Sequence, residues 1–290
     1  MPAPPCIVRS RGRERLLTIA QITDLHITTS AHPVDQVRNE VRLRAVLKAI
    51  HALKPRPSAI LLTGDLADHG EAQEYAGLQA ILREAEIPLH YGVGNHDRRQ
   101  AFRKAFPATP VDENGFVQYA VTVGDLRIVM CDTLEEGANG GGFCEARAAW
   151  LARTLAAAPD TPTILALHHP PIASGIAWMD EPEGAPWLSR LAAVIHEQKQ
   201  ILTISCGHMH RAYHGMFAGR MVSVSPATSI QLTLDLRPVD MRTPDGREIL
   251  TEEPPGFTLF SWDRRALGVH VCVAGEFAPA VHFTVPFIRS

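Results

Sequence analysis

The sequence predicts an α/β fold that closes with β-rich material. Over the first two hundred residues or so, short runs rich in Ile, Leu and Val alternate with longer amphipathic segments. This alternation is typical of strand–helix–strand units built over a buried sheet. The chain has 290 residues, of which 46% are hydrophobic and 20% charged. These values are near the average for globular proteins, so they exclude a mainly disordered or collagenous chain.

The elements follow from hydrophobic periodicity and from breaker residues. A strand is predicted at Leu16 to Thr23, and a helix at Val34 to Leu53, where Leu43, Val46 and Ile50 recur at helical spacing. Two prolines end that helix. The same patterns then predict, in order, strand Ser58 to Thr63, helix Glu71 to Glu86, strand Pro88 to Val93, helix Arg98 to Phe106, strands Phe116 to Val123 and Leu126 to Asp132, helix Glu145 to Ala158, strand Thr163 to Leu167, helix Pro186 to Lys199 and strand Ile201 to Ser205. Gly124-Asp125 between the paired strands indicates a hairpin.

Only short strands are predicted in the rest of the chain. They are Ala212 to Phe217, Arg220 to Val224, Ser229 to Leu234, Phe257 to Trp262 and Gly268 to Val273. The stretch from Leu236 to Pro255 is polar and contains prolines, which favours a long loop or a small appended element over core structure.

Composition excludes several classes of protein. The chain has 28 basic and 31 acidic side chains and no basic block, so we expect no nucleic-acid polymer as a partner. It contains neither an apolar run near the ~20 residues of a membrane span nor a signal-peptide core, so we expect a cytoplasmic protein without membrane contact. Five widely spaced cysteines with no CxxC pair predict reduced thiols rather than a disulfide framework.

Five polar clusters stand just past the ends of predicted strands. They are Asp24 with His26, Asp65, Asn95 with His96, His168 with His169, and His208 with His210. The carboxyl ends of the strands in an α/β sheet present its ligand-binding loops. Glycine precedes Asp65, Asn95 and His208, which allows the sharp turns that aim several side chains at one point.

Oxygen and imidazole donors without thiolates suit divalent Mn, Fe, Co, Ni or Zn. Seven or eight such donors are too many for one ion. The set fits two metal ions about 3.5 to 4 Å apart that share a carboxylate, an arrangement that clamps the attacking and leaving oxygens of a phosphoryl transfer.

The same residues carry a family resemblance. In order, the motifs are Asp24-Leu25-His26, Gly64-Asp65, Gly94-Asn95-His96-Asp97, His168-His169-Pro170 and Gly207-His208-Met209-His210. Together they resemble the five motifs of the calcineurin-like metallophosphoesterases, and most of all those of bacterial class III cyclic nucleotide phosphodiesterases and glycerophosphodiesterases. The resemblance spans Leu16 to about Thr228 and implies a four-layer αββα sandwich. We expect residues 1–228 to form the catalytic domain, and residues 229–290 to add strands on the same domain and to act as a cap or an oligomerisation element.

The resemblance also implies roles for single residues. The first metal ion would be held by Asp24, His26 and His210, the second by Asn95, His168 and His208, and Asp65 would bridge them. A hydroxide between the ions would attack phosphorus. His96 would protonate the leaving alkoxide or neutralise phosphoryl oxygens, and Asp68 would orient His96.

Further residues are expected to contact the substrate or to line the cleft. Asn95, His96, His169 and Arg98 are the candidates for substrate binding. Arg98 and Arg99 would either contact phosphate or lie on the surface of a helix, and Asp97 would either support a metal ligand or cap the N-terminus of that helix. His69 and His214 are candidates for the cleft wall. Trp178, Met179 and Trp187 would form an apolar wall or pack against the C-terminal strands. His69 stands where many phosphoprotein phosphatases of the superfamily carry arginine, which argues against that activity.

The predicted function is metal-dependent hydrolysis of a small phosphodiester, with a 3′,5′-cyclic nucleotide as the first choice of substrate. A glycerophosphodiester or another alkyl or aryl diester is the alternative. A catalytically silent binding scaffold is the alternative from another class, but all presumed ligands are present. A nuclease would need a basic groove, which the sequence does not indicate, so a nuclease is not the predicted function. We expect Mn, Fe, Zn or Co as the ions, and a homodimer or a higher homo-oligomer.

Overall fold

The computed structural model describes residues 16–29 and 33–282, with side chains from Arg38 onward in the second range. Thirteen strands, five α-helices and one short 3₁₀ helix, Arg83–Ala85, lie in these ranges. The strands are β1 Leu17–Ile22, β2 Ala59–Thr63, β3 Leu89–Gly92, β4 Tyr119–Val123, β5 Leu126–Met130, β6 Thr163–Ala166, β7 Ile201–Cys206, β8 Tyr213–Phe217, β9 Arg220–Val224, β10 Gln231–Leu232, β11 Leu250–Thr251, β12 Gly256–Trp262 and β13 Leu267–Val273. The helices are α1 Pro33–Ala52, α2 Ala72–Leu82, α3 Arg99–Ala105, α4 Glu145–Ala156 and α5 Pro186–Ile195.

Two larger sheets form the centre of the protein. The first has the strand order β13-β12-β1-β2-β3, and the second has the order β4-β5-β6-β7-β9-β8. Strands β1, β2 and β3 are parallel, as are β5, β6, β7 and β9. β10 and β11 form a separate two-stranded ribbon. The parallel strands therefore direct their carboxyl ends, and the loops that follow, to one edge of each sheet.

The sheets pack face to face between two layers of helices. Ile128 and Ile164 of the second sheet belong to the same apolar cluster as Ile60 of the first sheet. Their neighbours Val129 and Leu165 belong to a second cluster, which also includes Leu151 of α4 and Leu191 of α5. Alternate residues of a strand point to opposite faces. The second sheet is thus covered on both sides, and the predicted αββα sandwich is confirmed.

A buried polar link joins the two sheets beneath their common edge. The Gln21 side chain donates to the Cys206 carbonyl (2.8 Å) and to Thr63 Oγ1 (2.9 Å). It also accepts a hydrogen bond from Ser205 Oγ (2.7 Å). Because all of these groups are buried and paired, they fix the position of β1 relative to β7.

Most predicted elements are confirmed, and the differences have local causes. The hairpin begins at Tyr119 rather than Phe116, because the Asp112 carboxylate accepts the backbone N–H groups of Asn114 and Phe116 in a turn. The predicted strand Ser229 to Leu234 shrinks to β10, because the backbone bends to donate from Ser229 N to the Asp24 carbonyl (3.1 Å).

The C-terminal strands are part of the first sheet. β12 pairs antiparallel with β1, and β13 pairs with β12. The stretch predicted as a loop or appended element contains β11, which closes on β10. The four cysteines in the described ranges are free thiols. A search of the described helices finds none with the length and apolarity that a bilayer crossing requires.

Candidate functional site

Residues from both sheets meet at one edge of the sandwich. Asp24 and His26 follow β1, and Asp65 follows β2. Asn95 and His96 come after β3, while His168 comes after β6 and His208 and His210 come after β7. The structure therefore brings together all seven residues expected as metal ligands. This convergence follows from the parallel strand order, since the loops of one edge all face the same side.

Many of these residues have an unusual backbone conformation. Eight non-glycine residues in the described ranges have positive φ. Five of them belong to the cluster, namely Asp24 (53°), His26 (45°), Asp65 (49°), His208 (71°) and His210 (46°). The left-handed region costs free energy for residues with a Cβ and is concentrated at functional sites. The strained backbone at five of these residues therefore indicates a functional site, where the direction of the side chains matters more than local stability.

One group of side chains centres on His26 and His210. Their Nε2 atoms are 3.0 Å apart. His210 Nε2 lies 3.4 Å from Asp24 Oδ1, and His26 Nε2 lies 3.6 Å from Asp65 Oδ2. One potential ligand atom from each of these four residues falls within a 4.8 Å span. They could hold one metal ion.

A second group lies beside the first and shares Asp65. His168 Nε2 is 3.2 Å from Asp65 Oδ2 and 3.2 Å from Asn95 Oδ1. Donor atoms of His168, His169 and His208 also lie within 4.8 Å of one another. Asp65 therefore stands between the two groups, where a bridging carboxylate would stand.

The hydrogen bonds of the imidazoles show that this cluster is built for cations. Nδ1 of His26 faces the Asp68 carboxylate (3.0 Å), that of His210 faces the Ile230 carbonyl (2.7 Å), and that of His168 faces the Thr63 carbonyl (2.8 Å). Since these partners only accept, each Nδ1 donates, and each Nε2 of a neutral ring carries a lone pair. Lone pairs and carboxylate oxygens then point at each other across about 3 Å, an arrangement that positive charge between them would stabilise.

The pKa values of the buried groups agree with this reading. Burial lowers the pKa of His168, but the charge of Asp65 and a hydrogen bond to it prevail and raise that pKa to about 9. Burial raises the pKa of Asp65, yet the charges of His168 and His26 bring it well below the usual range. Burial and the charge of His168 lower the pKa of His208 to about 3. In the protein without metal, a proton on His168 therefore supplies the positive charge that the acidic side of the cluster attracts.

The expected pairing of Asp68 with His96 needs correction. The Asp68 carboxylate accepts from His26 and lies 3.7 Å from His96 Nδ1. It is the backbone carbonyl of Asp68 that accepts from His96 Nδ1, at 2.8 Å. One residue thus orients two histidines, His26 through its side chain and His96 through its main chain.

His169 is not where a substrate contact would lie. Its side chain is fully buried and lines neither of the two cavities next to the cluster. Its Nδ1 is 2.8 Å from Thr133 Oγ1, and its Nε2 has no hydrogen-bond partner among the described residues. This placement beside His168 and His208 does not fit the expected contact with substrate.

The arginine and histidine candidates for the cleft differ in their surroundings. Arg98 and His69 line an open cavity together with Asp68 and His96. His214 is exposed on β8 and lines neither cavity next to the cluster. Arg99 makes two hydrogen bonds to the buried Asp132 carboxylate, at 2.8 and 2.9 Å, so it has a structural partner.

Asp97 is a buried residue that supports two neighbouring loops, and it is not a helix cap. Its carboxylate accepts hydrogen bonds from the backbone N–H groups of Leu66, Ala67 and Gly94 and from the Tyr75 hydroxyl. Burial and the charge of Asp65 raise its pKa to about 6. Asp97 thus ties the loop after β2 to the loop after β3.

Sequence reasoning missed two supporting residues. Thr133 fixes His169, and Gln21 joins the two sheets. A polar residue inside an otherwise apolar predicted strand was the available signal for Gln21. Thr133 follows the end of a predicted strand, as the five polar clusters do, and this position was the available signal for Thr133.

Two cavities flank the cluster. One, of about 340 Å³, is lined by His26, His96 and His210, by five apolar residues and by five other polar or charged residues. We call it the apolar cavity after its five apolar residues. The other, of about 450 Å³, is lined by Asp65, Asn95, Asp180 and Glu181 among others, and we call it the polar cavity. Trp178 and Met179 line both cavities, whereas Trp187 is buried in the second apolar cluster.

Gly94 is required by the close approach of two loops. A Cβ at this position would lie 2.6 Å from Asp65 N and 2.7 Å from His168 Nε2. We expect Gly94→Ala to reduce bound metal and hydrolytic activity by about tenfold or more, since displaced metal-site partners cost 10- to 100-fold. Metal content by elemental analysis and kcat/KM check this. Gly77→Ala is the control, because its Cβ would meet Ile27 at an ordinary 3.7 Å; equal loss in both variants would contradict the prediction.

Comparisons with known proteins agree with this geometry. The family model described as "Calcineurin-like phosphoesterase" matches residues 17–212. A probable cyclic nucleotide phosphodiesterase of Rhodopseudomonas palustris is 33% identical over 259 residues, which cover 87% of this chain and 90% of the relative. A probable glycerophosphodiester phosphodiesterase of Arcobacter nitrofigilis is 28% identical over 264 residues, which cover 90% of this chain and 94% of the relative.

The fold is also found among solved structures. The purple acid phosphatase PPD1 of yellow lupin superposes with a TM-score of 0.63 at 14% identity, covering 90% of this chain and 52% of that one. At this identity the likeness concerns the fold alone. The family model, however, covers more than half of the chain and includes every residue of the two ligand groups. The chain therefore belongs to the calcineurin-like phosphoesterase family, and it is a phosphoesterase with a buried cluster able to bind metal ions.

Proposed function

We propose that the protein is a dinuclear metal-dependent phosphodiesterase whose substrate is a 3′,5′-cyclic nucleotide. The observation that carries the proposal is the convergence of imidazole nitrogen atoms and carboxylate oxygen atoms on both sides of Asp65. Asp24, His26, Asp65 and His210 would hold one ion, and Asp65, Asn95, His168 and His208 the other. Mn, Fe, Zn and Co suit this donor set. When bound, the ions supply Lewis acidity and lower the pKa of a water molecule.

The chain's own residues then orient the diester and move a proton. Hydrolysis joins a water oxygen to phosphorus and breaks one P–O ester bond, and the leaving oxygen takes up a proton. His96 lines both cavities, and its side chain is 40% exposed. Its Nδ1 donates to the Asp68 carbonyl, so the second proton of the imidazolium form is on Nε2. That proton can pass to the leaving oxygen, with the proton released by the attacking water replacing it, or it can donate a hydrogen bond to a phosphoryl oxygen. Arg98 is a further candidate for contact with phosphate from the open cavity.

A glycerophosphodiester is the second candidate substrate. The polar cavity supports it, because Asp180 and Glu181 line that side of the cluster and could face hydroxyl or ammonium groups. A relative of similar length is named as a probable glycerophosphodiester phosphodiesterase. The cyclic nucleotide is favoured by the apolar cavity on the other side, which suits a base better than a glycerol moiety.

The C-terminal part contributes to the proposed cleft. Ser229, Leu232 and Leu250 line the apolar cavity, which supports a role for residues 229–290 as a cap. The same part carries β13, an edge strand that exposes Val271 (44%) and Val273 (52%). Because exposed apolar edge strands favour association with another chain, the proposal includes a homodimer. Sedimentation at several concentrations tests it, and a monomer throughout would reject it. We keep the cytoplasm as the expected compartment.

Hydrolysis of two model esters tests the reaction. After reconstitution with Mn²⁺, we expect bis(p-nitrophenyl) phosphate to be cleaved faster than p-nitrophenyl phosphate. Asn95→Ala should lower the diester rate by about a hundredfold or more, since even outer partners of a metal site are worth 10- to 100-fold. Asn114→Ala, in an exposed turn, is the control. Cyclic AMP and glycerophosphocholine then separate the two substrates.

The outcomes differ clearly. Preference for the monoester would reject a diesterase, and cleavage of glycerophosphocholine without cyclic AMP would reject the cyclic nucleotide. Equal and negligible rates in the wild type and Asn95→Ala would favour a binding scaffold.

A further inference from the structure

We propose that the apolar cavity is a nucleobase subsite, and that Asn39 Oδ1 and Ser229 Oγ recognise an exocyclic amine and the neighbouring ring nitrogen of an adenine-type base. This inference rests on the proposed phosphodiesterase function and deepens it. It names the part of the substrate that lies away from the phosphate and the two side chains that select it.

The cavity has the size and lining of a site for a small planar ring. Its volume of about 340 Å³ falls within the range of small-molecule sites. Trp178 and Met179 line it together with Ile230, Leu232 and Leu250. Aromatic and aliphatic walls of this kind bind the faces of a base through dispersion and stacking.

Two residues of this lining each carry a polar atom that is buried without a partner. Asn39 and Ser229 are 9% and 2% exposed, and both line the cavity. Within the described ranges, neither Asn39 Oδ1 nor Ser229 Oγ has a hydrogen-bond partner. A buried polar group without a partner costs free energy, so such groups are rare in native proteins and call for a ligand or another explanation.

The two residues are anchored to the loop that carries the ligand residues. Asn39 Nδ2 donates to the His26 carbonyl at 2.8 Å, and the Ser229 backbone N–H donates to the Asp24 carbonyl at 3.1 Å. The first bond fixes the amide so that Oδ1 is an acceptor, while the Ser229 hydroxyl can donate. An acceptor and a hydroxyl in the lining of one cavity match the exocyclic amine and the ring nitrogen of such a base, and both residues are tied to the loop that carries Asp24 and His26.

Charge excludes the most obvious competing occupants. Among the described residues that line the cavity, the one arginine, Arg38, is paired with Glu252, so it does not attract a second anion. A quaternary ammonium could contact Trp178, but it has no N–H group for Asn39 Oδ1 and no acceptor for the Ser229 hydroxyl. A neutral base with an amine satisfies both atoms.

The test compares a change in the ligand with a change in the protein. Purine riboside 3′,5′-cyclic phosphate lacks the amine, so its kcat/KM in the wild type should be about tenfold below that of cyclic AMP. Ser229→Ala should lower the ratio of kcat/KM for cyclic AMP to kcat/KM for methyl p-nitrophenyl phosphate, which has no base, by about five- to tenfold. Ser223→Ala is the matched control, because Ser223 Oγ is also buried without a partner but does not line the cavity.

Failure of the subsite and failure of the proposed function give different results. If cyclic AMP is hydrolysed and neither change alters the ratios, the subsite is overturned while the function stands. If only methyl p-nitrophenyl phosphate is hydrolysed, adenosine 5′-monophosphate is used as an inhibitor of that reaction. An inhibition constant about fivefold or more higher in Ser229→Ala than in Ser223→Ala supports the subsite even then, and equal constants overturn it.

Discussion

Replacement of Asp65 by asparagine is expected to abolish metal-dependent stabilisation and hydrolysis. The side chain is buried at the boundary of the two ligand groups, 3.6 Å from His26 Nε2 and 3.2 Å from His168 Nε2. A metal ion present at a hundred times its dissociation constant stabilises the folded state by about 2.7 kcal/mol. For a chain of this size we therefore expect Mn²⁺ to raise the Tm of the chelator-treated wild type by about 5–10 °C.

In Asp65→Asn this shift should vanish, and kcat/KM should fall by about a hundredfold or more. The substitution keeps the shape of the side chain and an oxygen for the His96 backbone N–H, which now donates to Asp65 Oδ1 at 2.9 Å. The variant should therefore fold. Scanning fluorimetry with and without Mn²⁺, together with metal analysis, measures both effects. Asp160→Asn on the surface is the control. If Mn²⁺ raised the Tm of Asp65→Asn as much as that of the wild type, the result would contradict the role of this carboxylate as a ligand shared by both metal ions.

The positions of the candidate metal ligands could be predicted because the local sequence pattern and the sheet topology indicate the same edge. Each polar cluster follows a strongly apolar run, and parallel strands collect such loops at one edge. Asp24 and His208 are 184 residues apart in the chain, yet the His208 backbone N–H donates to the Asp24 carboxylate at 3.0 Å. Local pattern and topology were enough to predict this meeting.

What could not be predicted depends on contacts that leave no local pattern. Trp187 and Trp178 lie in the same proline-containing stretch, but one is buried in the core and the other lines both cavities. The choice between them is made by α5, whose apolar face packs Trp187 against α4. Likewise, the Asp68 carboxylate accepts a hydrogen bond from His26, while the Asp68 backbone carbonyl accepts one from His96. The conformation of the turn after β2 decides which group faces which histidine, and residue spacing alone does not define that conformation.

The unpartnered atoms of Asn39 and Ser229 were also beyond sequence reasoning. Asn39 is one polar residue among many on α1, and Ser229 lies in a segment predicted as a strand. Only the tertiary structure shows that both are buried, that both line one cavity and that both are tied to the loop from Asp24 to His26. The proposed recognition of a base therefore rests on residues that the metal motifs do not reveal.

The largest loss of stability is expected for Asp97→Ala. The Asp97 carboxylate accepts from Gly94 N (2.9 Å), Leu66 N (3.3 Å), Ala67 N (3.3 Å) and the Tyr75 hydroxyl (2.9 Å). Alanine would leave three backbone donors buried without an acceptor, each at the cost of an unmade hydrogen bond. The raised pKa of Asp97 shows that burial of the charge offsets part of this gain. We therefore expect the free energy of unfolding to fall by about 3–4 kcal/mol.

A graded series separates hydrogen bonding from packing at this position. Tyr75→Phe keeps the aromatic contacts with Phe102 and Phe106. It removes the hydroxyl that donates to Asp97 and accepts from the Arg98 backbone N–H, so the loss should be about 1–2 kcal/mol. Asp97→Asn keeps one acceptor oxygen and should lie between the two. Urea unfolding of the chelator-treated proteins measures the series, with Asp160→Ala as the exposed control. Because Asp97 joins the loops that carry Asp65 and Asn95, the order of stabilities should also be the order of Mn²⁺ affinities. A loss below about 1 kcal/mol for Asp97→Ala would mean that backbone pairing holds these loops without the carboxylate.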